Sequence, residues 1–196
     1  MKKIMFNDAY SLTDVVLRKR KTQTRREAKI TPTRSLANCL QGMKYECMVD
    51  ENGNDYEAAY FIGEVVAIAQ SYKNVGYDGN ATFGDCRSIR SHAGWTNKMF
   101  VKSEYLPKHI KIIGVRCERL QDISDEDCLK EGIYRLDSAN GNGGVAYSFI
   151  GASEEKNIGL YPSPREAFIT LIDKVSGKGT WERNPFVWVY EFELIN

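Results

Sequence analysis

From position 20 the chain reads Arg20-Lys21-Thr22-Gln23-Thr24-Arg25-Arg26, so residues 21–26 offer two hydroxyls and three cations. Arginine forks suit phosphate oxygens, and a threonine hydroxyl can bind phosphate or act as a nucleophile. As a nucleophile it needs a base, because the hydroxyl is only weakly acidic, and an unprotonated lysine can serve. Lysine loses its proton near neutral pH only where burial or neighbouring cations lower its pKa. Arg18, Lys19, Arg20, Arg25 and Arg26 surround Lys21 in sequence and push it that way. A plainer reading is that Arg18, Lys19, Arg20 and Lys21 complement the negative end of a preceding helix. It leaves Arg25 and Arg26, beyond the helix end, unexplained.

Glu131 is the second candidate. It falls in the last turn of an expected helix, where the dipole disfavours a carboxylate. A carboxylate in an unfavourable place is a candidate for function, a solvated surface glutamate being the plain alternative. Among the aromatic residues Trp95, Phe100, Trp181, Phe186, Trp188 and Tyr190, a base-stacking platform competes with an ordinary core role. Trp95 and Trp181 are the preferred stacking residues, since each sits beside glycine and polar residues in an expected loop. His92 and His109 have no partners in the sequence and receive no role. The cysteines at 39, 47, 86, 117 and 128 form no CxxC pair, so reduced, packed thiols are expected rather than a zinc site or disulfide framework. No metal and no cofactor is expected.

The 196 residues carry 27 basic and 26 acidic side chains, a net charge of +1 that gives no global reason to bind nucleic acid. Seven of the bases and only Glu27 among the acids lie within 18–29, leaving 20 bases against 25 acids elsewhere. Local concentration of positive charge in a neutral protein is the pattern of a polyanion site. The first residues contain too short an apolar stretch for a signal peptide, and no run approaches the ~20 apolar residues of a membrane span. A cytoplasmic location is expected.

The elements that must position these residues read as follows. A short strand at 4–6 precedes a helix over 8–20, with Leu12, Val15 and Val16 at helical spacing. Residues 27–58 form a polar connection with a hairpin turn at Asn52-Gly53. A strand at 60–69, apolar enough to be buried on both faces, is followed by a long loop over 73–94. Strands at 98–102 and 110–120 come next. Ser124 caps a helix that runs to Glu131 and stops at Gly132, with Asp127 completing a capping box. Residues 134–161 read as an inserted loop or hairpin. Ser163, Pro164, Glu166 and Gly177 punctuate another helix, and an alternating strand at 186–194 closes the chain. Five to seven strands with three helices make an α+β domain, which admits a small barrel with flanking helices.

At these residues the sequence resembles the ASCH family, relatives of the PUA RNA-binding domain, including ASCH-type proteins of phages and prophages. The segment at 20–26 is similar to the family's Gly-Lys-Lys-Thr-x-Thr-x-Arg pattern. Gly63-Glu64 is similar to its Gly-Asp at the opening of a strand, and Leu129-Lys130-Glu131-Gly132 to its strand-to-helix stretch. The likeness spans most of the chain as one domain, with 27–58, 73–94 and 134–161 as additions. It implies a PUA-like β-barrel with helices around a cleft, and RNA, ahead of DNA, or a modified nucleoside as ligand. Some bacterial members are amidohydrolases that deacetylate N4-acetylcytidine. Carried over by motif, Thr24 would attack the amide, Lys21 would accept its proton, and Glu131 would orient the lysine or relay a proton. Arg20, Thr22, Arg25, Arg26, Trp95 and Trp181 would contact the ligand. Two positions depart from the family pattern: Arg20 replaces the usual glycine before the lysine, and Arg25 stands where the amidohydrolases carry an apolar residue. A nucleic-acid-binding module is the first expectation, an amidohydrolase the second, and a phage accessory protein-interaction module the third.

Overall fold

The computed structural model describes residues 1–28, 34–35, 48–49, 55–56, 58–82, 87–137, 144–149 and 159–195. Its elements are β1 (Lys3–Ile4), α1 (Leu12–Leu17), β2 (Gln23–Glu27), β3 (Arg34–Ser35), β4 (Met48–Val49), β5 (Asp55–Tyr56) and β6 (Val65–Ile68). They continue with α2 (Tyr72–Val75), β7 (His109–Arg119), α3 (Asp125–Lys130), β8 (Tyr134–Asp137), β9 (Val145–Ser148), α4 (Pro164–Ser176), α5 (Thr180–Arg183) and β10 (Phe186–Leu194). The chain is thus α+β. Its main sheet has five strands in the order β1-β6-β7-β10-β2, parallel only between β1 and β6. Among the described residues the ladder is open, with β1 and β2 at its two edges.

The long partners β7 and β10 form the middle of this sheet. Val187, Trp188, Val189 and Tyr190 are all buried, so β10 is covered on both faces rather than one. Its register against β7 shifts between Glu191 and Phe192, which pair with Gly114 and Ile112 and leave Ile113 unmatched. Such a bulge bends the strand. Opposite Glu191, a side chain at Gly114 would come within 3.0 Å of the Glu191 carboxylate, so glycine leaves that carboxylate its room. Phe168 and Leu171 of α4 and Leu12 and Val16 of α1 join the core formed by this sheet.

Helix punctuation follows the residues expected for it. The Ser124 hydroxyl accepts from Asp127 N, Ser163 accepts from Glu166 N, and Pro164 opens α4 where a missing N–H costs nothing. Gly132 and Gly177 follow α3 and α4 with φ of +104° and +107°.

Other expectations are corrected. The helix over 8–20 is interrupted at Ser11, whose φ of 52° separates a 3-10 turn at Asp8–Tyr10 from α1. Residues 98–102 are no strand: Lys98–Phe100 is a 3-10 turn, started by the Asn97 side chain accepting from Met99 N. The loop over 73–94 is largely ordered turns. It includes Ile89–Ser91 and Ala93–Trp95, and with α2 it closes a second apolar cluster around Ala67, Tyr72, Ile89, Val101 and Leu106. The buried strand at 60–69 shrinks to β6, of which Val65 is exposed and Val66, Ala67 and Ile68 are fully buried. Residues 134–161 need no correction: of the loop or hairpin expected there, the antiparallel pair β8 with β9 agrees with the hairpin. Asn52-Gly53 lies outside the described residues, although β4 and β5 on either side pair antiparallel. Among the described residues no helix is long and apolar enough to cross a membrane.

Candidate active site

The segment that follows α1 docks on the end of α3 before it becomes a strand. Thr22 N donates to Lys130 O at 2.9 Å, and Thr22 O accepts from Phe192 N at 2.9 Å. From there β2 pairs with β10, Gln23 opposite Glu191 and Arg25 opposite Val189. The α3 terminus therefore meets β2 at Lys21. Gly132 turns the chain at this junction with a positive φ that favours glycine, while a Cβ there would make only ordinary contacts with Val15 and the Lys21 stem.

Lys21 is only 2% exposed, and its Nζ donates both to Glu131 O at 2.8 Å and to Glu131 Oε2. Burial, the strongest influence, drives the lysine pKa below its ordinary value. The charge and hydrogen bond of Glu131 oppose this, while Arg26 and Arg25 add to the lowering. Glu131 is itself buried and holds a second cation, Arg25, whose Nη1 donates to Oε1 at 3.1 Å. The helix-end position that disfavours a carboxylate is thus offset by two buried partners.

All five N–H donors of Arg25 are engaged. Nε and Nη2 reach Glu118 Oε1 at 3.1 and 2.6 Å, Nη2 also reaches Asp127 Oδ2 at 3.0 Å, and Nη1 reaches Gln23 Oε1 at 2.6 Å besides Glu131. Burial opposes the guanidinium's charge, yet Glu131, Glu118 and Asp127 together hold its pKa above the ordinary value. An outer arginine, Arg116, binds Glu118, Asp127 and Glu191, and Gln23 Nε2 donates to Glu191 at 3.2 Å. Asp127 titrates below its ordinary range: burial works the other way, but hydrogen bonds from Lys130 and Arg25 and the charge of Arg116 prevail. Of the residues expected to contact a ligand, Arg25 lines the cavity but has every N–H donor engaged within the protein.

Lys21, Thr24, Arg25, Arg26 and Glu131 line one cavity of about 210 Å³. Its opposite wall is apolar, built from Phe6, Leu12, Phe168, Leu171, Ile172 and Val175. The Phe168 ring lies 6.0 Å from the Arg25 guanidinium. Thr24 is 5% exposed, and among the described residues its hydroxyl has no hydrogen-bond partner, Lys21 and Glu131 included. Thr24 and Arg26 follow the other parity of β2 from Gln23 and Arg25, so the cavity draws on both faces of this edge strand. Arg26 makes a single hydrogen bond among the described residues, to Met5 O, and lies over the Phe6 ring.

The remaining expected residues stand apart. Arg20 is exposed, with its backbone N bonded to Val15 O, and Thr22 contributes backbone bonds. Neither lines the cavity. Trp95 belongs to the second apolar cluster, 5.6 Å from the Arg90 guanidinium. Trp181 packs edge-on to Phe168 at 6.4 Å, behind the cavity wall rather than in it. Cys128 is fully buried, its thiol pushed up to about 12 by burial, which removes it as a nucleophile. Cys117 is half-buried, and Cys39, Cys47 and Cys86 lie outside the described residues.

Sequence reasoning missed Gln23, Arg116, Glu118, Glu191 and the apolar face of α4. The i, i+2 pairs Gln23/Arg25 and Arg116/Glu118 were the available signal, because each puts two polar groups on one strand face. Asp127 was read as a capping residue, and its carboxylate serves the arginines instead. Comparison of the chain with models of known protein families, with curated proteins and with solved structures gives no match.

Proposed function

We propose that this chain is an ASCH-type protein of the PUA-like class whose cleft takes a nucleoside-sized ligand derived from RNA. On that ligand it hydrolyses an acyl amide such as the one in N4-acetylcytidine. One observation carries the reading: a buried lysine of lowered pKa, paired with Glu131, lines the same cavity as an unbonded threonine hydroxyl. A neutral amine has two N–H groups, and both are accounted for by Glu131 O and Oε2. Its lone pair is then free to accept a proton.

Thr24 Oγ adds to the amide carbonyl carbon while its proton passes to Lys21 Nζ. The C–N bond then breaks, and Lys21 returns that proton to the departing nitrogen. Water then adds to the acyl carbon of the Thr24 ester and gives a proton to Lys21; the bond to Thr24 Oγ breaks, Lys21 returns the proton to that oxygen, and the acid leaves. Glu131 orients the amine throughout. An apolar cavity of ~150 Å³ already holds a benzene ring, so about 210 Å³ suits one base and a short acyl group rather than a run of nucleotides. The wall of Phe6, Leu12, Phe168, Leu171, Ile172 and Val175 suits a flat, uncharged ring, and Arg26 has donors left for a carbonyl or phosphate oxygen. A barrel-like curl of the sheet is supported by Arg26 of β2, which bonds Met5 O and covers Phe6 just past β1 and so links the two edge strands.

Binding without turnover is the second reading, favoured by the lack of a hydrogen bond between Thr24 and Lys21. The test is to incubate the protein with N4-acetylcytidine and follow cytidine release. Turnover that is lost in Thr24→Ala and Lys21→Met supports hydrolysis. No turnover, with affinity for single-stranded RNA that falls as salt rises, supports binding alone. Neither result would leave a protein-interaction role.

A further inference from the structure

The ionic cluster extends well beyond the two residues the proposed reaction needs, and it contains a buried cation that the reaction does not use. Arg25 shares the Glu131 carboxylate with Lys21, one cation on each oxygen. Its remaining donors are fixed by Glu118, Asp127 and Gln23, and its side chain is only 1% exposed. Glu118 and Asp127 are in turn held by Arg116, which also takes Glu191. A guanidinium secured on three sides cannot swing toward a ligand, and what it fixes is the carboxylate that faces the lysine.

We propose that Arg25 is a positioning residue. It holds Glu131 in line with Lys21 and, as the second cation on that carboxylate, favours the amine over the ammonium in the cleft. This rests on reading Lys21 as the base. The electrostatics run in one direction. A carboxylate shared by two cations stabilises each less than it would stabilise one alone, and like charge on Arg25 disfavours a proton on Lys21. Burial and the charge of Arg26 lower the Lys21 pKa most, Glu131 opposes them, and the charge of Arg25 adds to the lowering, in the direction the geometry gives. Without Arg25, Glu131 serves Lys21 alone and the ammonium is retained to higher pH. Glu118 acts oppositely: it neutralises Arg25 from the far side, so its loss strengthens the pull of Arg25 on Glu131.

The experiment is a pH titration of the Lys21 side chain by its ¹³Cε shift in full-length protein carrying ¹³C-lysine, the signal assigned by its absence in Lys21→Arg. In Arg25→Met the midpoint should rise by about one unit, a tenfold smaller unprotonated fraction at neutral pH. In Arg25→Lys, which keeps the charge but loses the fork, it should return toward wild type. In Glu118→Gln it should fall. A folded Arg25→Met whose midpoint matches wild type overturns the proposal. If Arg25→Met does not fold, Glu118→Gln decides: a lower midpoint supports the role and an unchanged one overturns it. Midpoints that move as stated in a protein that hydrolyses no acyl amide sustain the role of Arg25 and count against the proposed reaction alone.

Discussion

The two parities of β2 show how differently polar residues on one strand can be used. Gln23 and Arg25, with Lys21 just before the strand, meet carboxylates from β7, β10 and α3, and every donor of Arg25 has an acceptor. Thr24 and Arg26 reach the same cavity with capacity to spare: a hydroxyl with no partner among the described residues and a guanidinium with one bond. Saturated groups organise and unsaturated groups are available to a ligand. Lys21 stands at the boundary, saturated as an amine and one donor short of saturation as an ammonium.

That contrast can be broken by substitution. The largest loss of stability should come from Glu131→Ala, which takes from buried Lys21 its one side-chain partner among the described residues and from Arg25 one of its carboxylates; removal of one partner of a buried pair costs about 3–5 kcal/mol, measurable by denaturant unfolding. Glu131→Gln should fall short of that, since the amide oxygen still accepts from one of the two partners while its NH2 faces the other.

Next is the dependence on pH. The folded-state pKa of Lys21 lies below its ordinary value, so between the two the unfolded chain binds more protons and stability rises with pH. Lys21→Met should flatten that alkaline rise in thermal unfolding. Asp127 works at the other end. Its lowered pKa contributes stability above the ordinary carboxylate range that is lost as pH falls through the folded value. Asp127→Asn should therefore be less stable than wild type near neutrality and lose less on acidification.

On the unsaturated parity, Thr24→Val should change stability by less than ~1 kcal/mol, because no hydrogen bond among the described residues is removed. Turnover should nevertheless disappear. The smallest effect is expected for Trp95→Phe, which alters the second apolar cluster and should leave ligand affinity and turnover as they are.

Much of the local structure was legible. Ser124, Gly132, Ser163, Pro164 and Gly177 mark helix ends by rules that act within a few residues, and β10 announced itself by its aromatic and β-branched residues, although its burial alternates only toward its end. The site was legible in part, through Lys21, Thr24 and Glu131. What stayed hidden depends on pairing across long separations. Nothing near Arg25 in the sequence reveals that β2 lies two strands from Glu118, so its charge was counted as free. The concentration of bases in 18–29 was accordingly overstated: Lys21 and Arg25 are spent internally and Arg18 pairs with Asp14. The helix over 8–20 failed for a local reason, a left-handed Ser11, that apolar spacing does not encode.

The most direct test of the account is cytidine release from N4-acetylcytidine by wild type beside Thr24→Ala. The cleft predicts release by the wild type and none by the variant at unchanged thermal stability. Equal release by both proteins would contradict it.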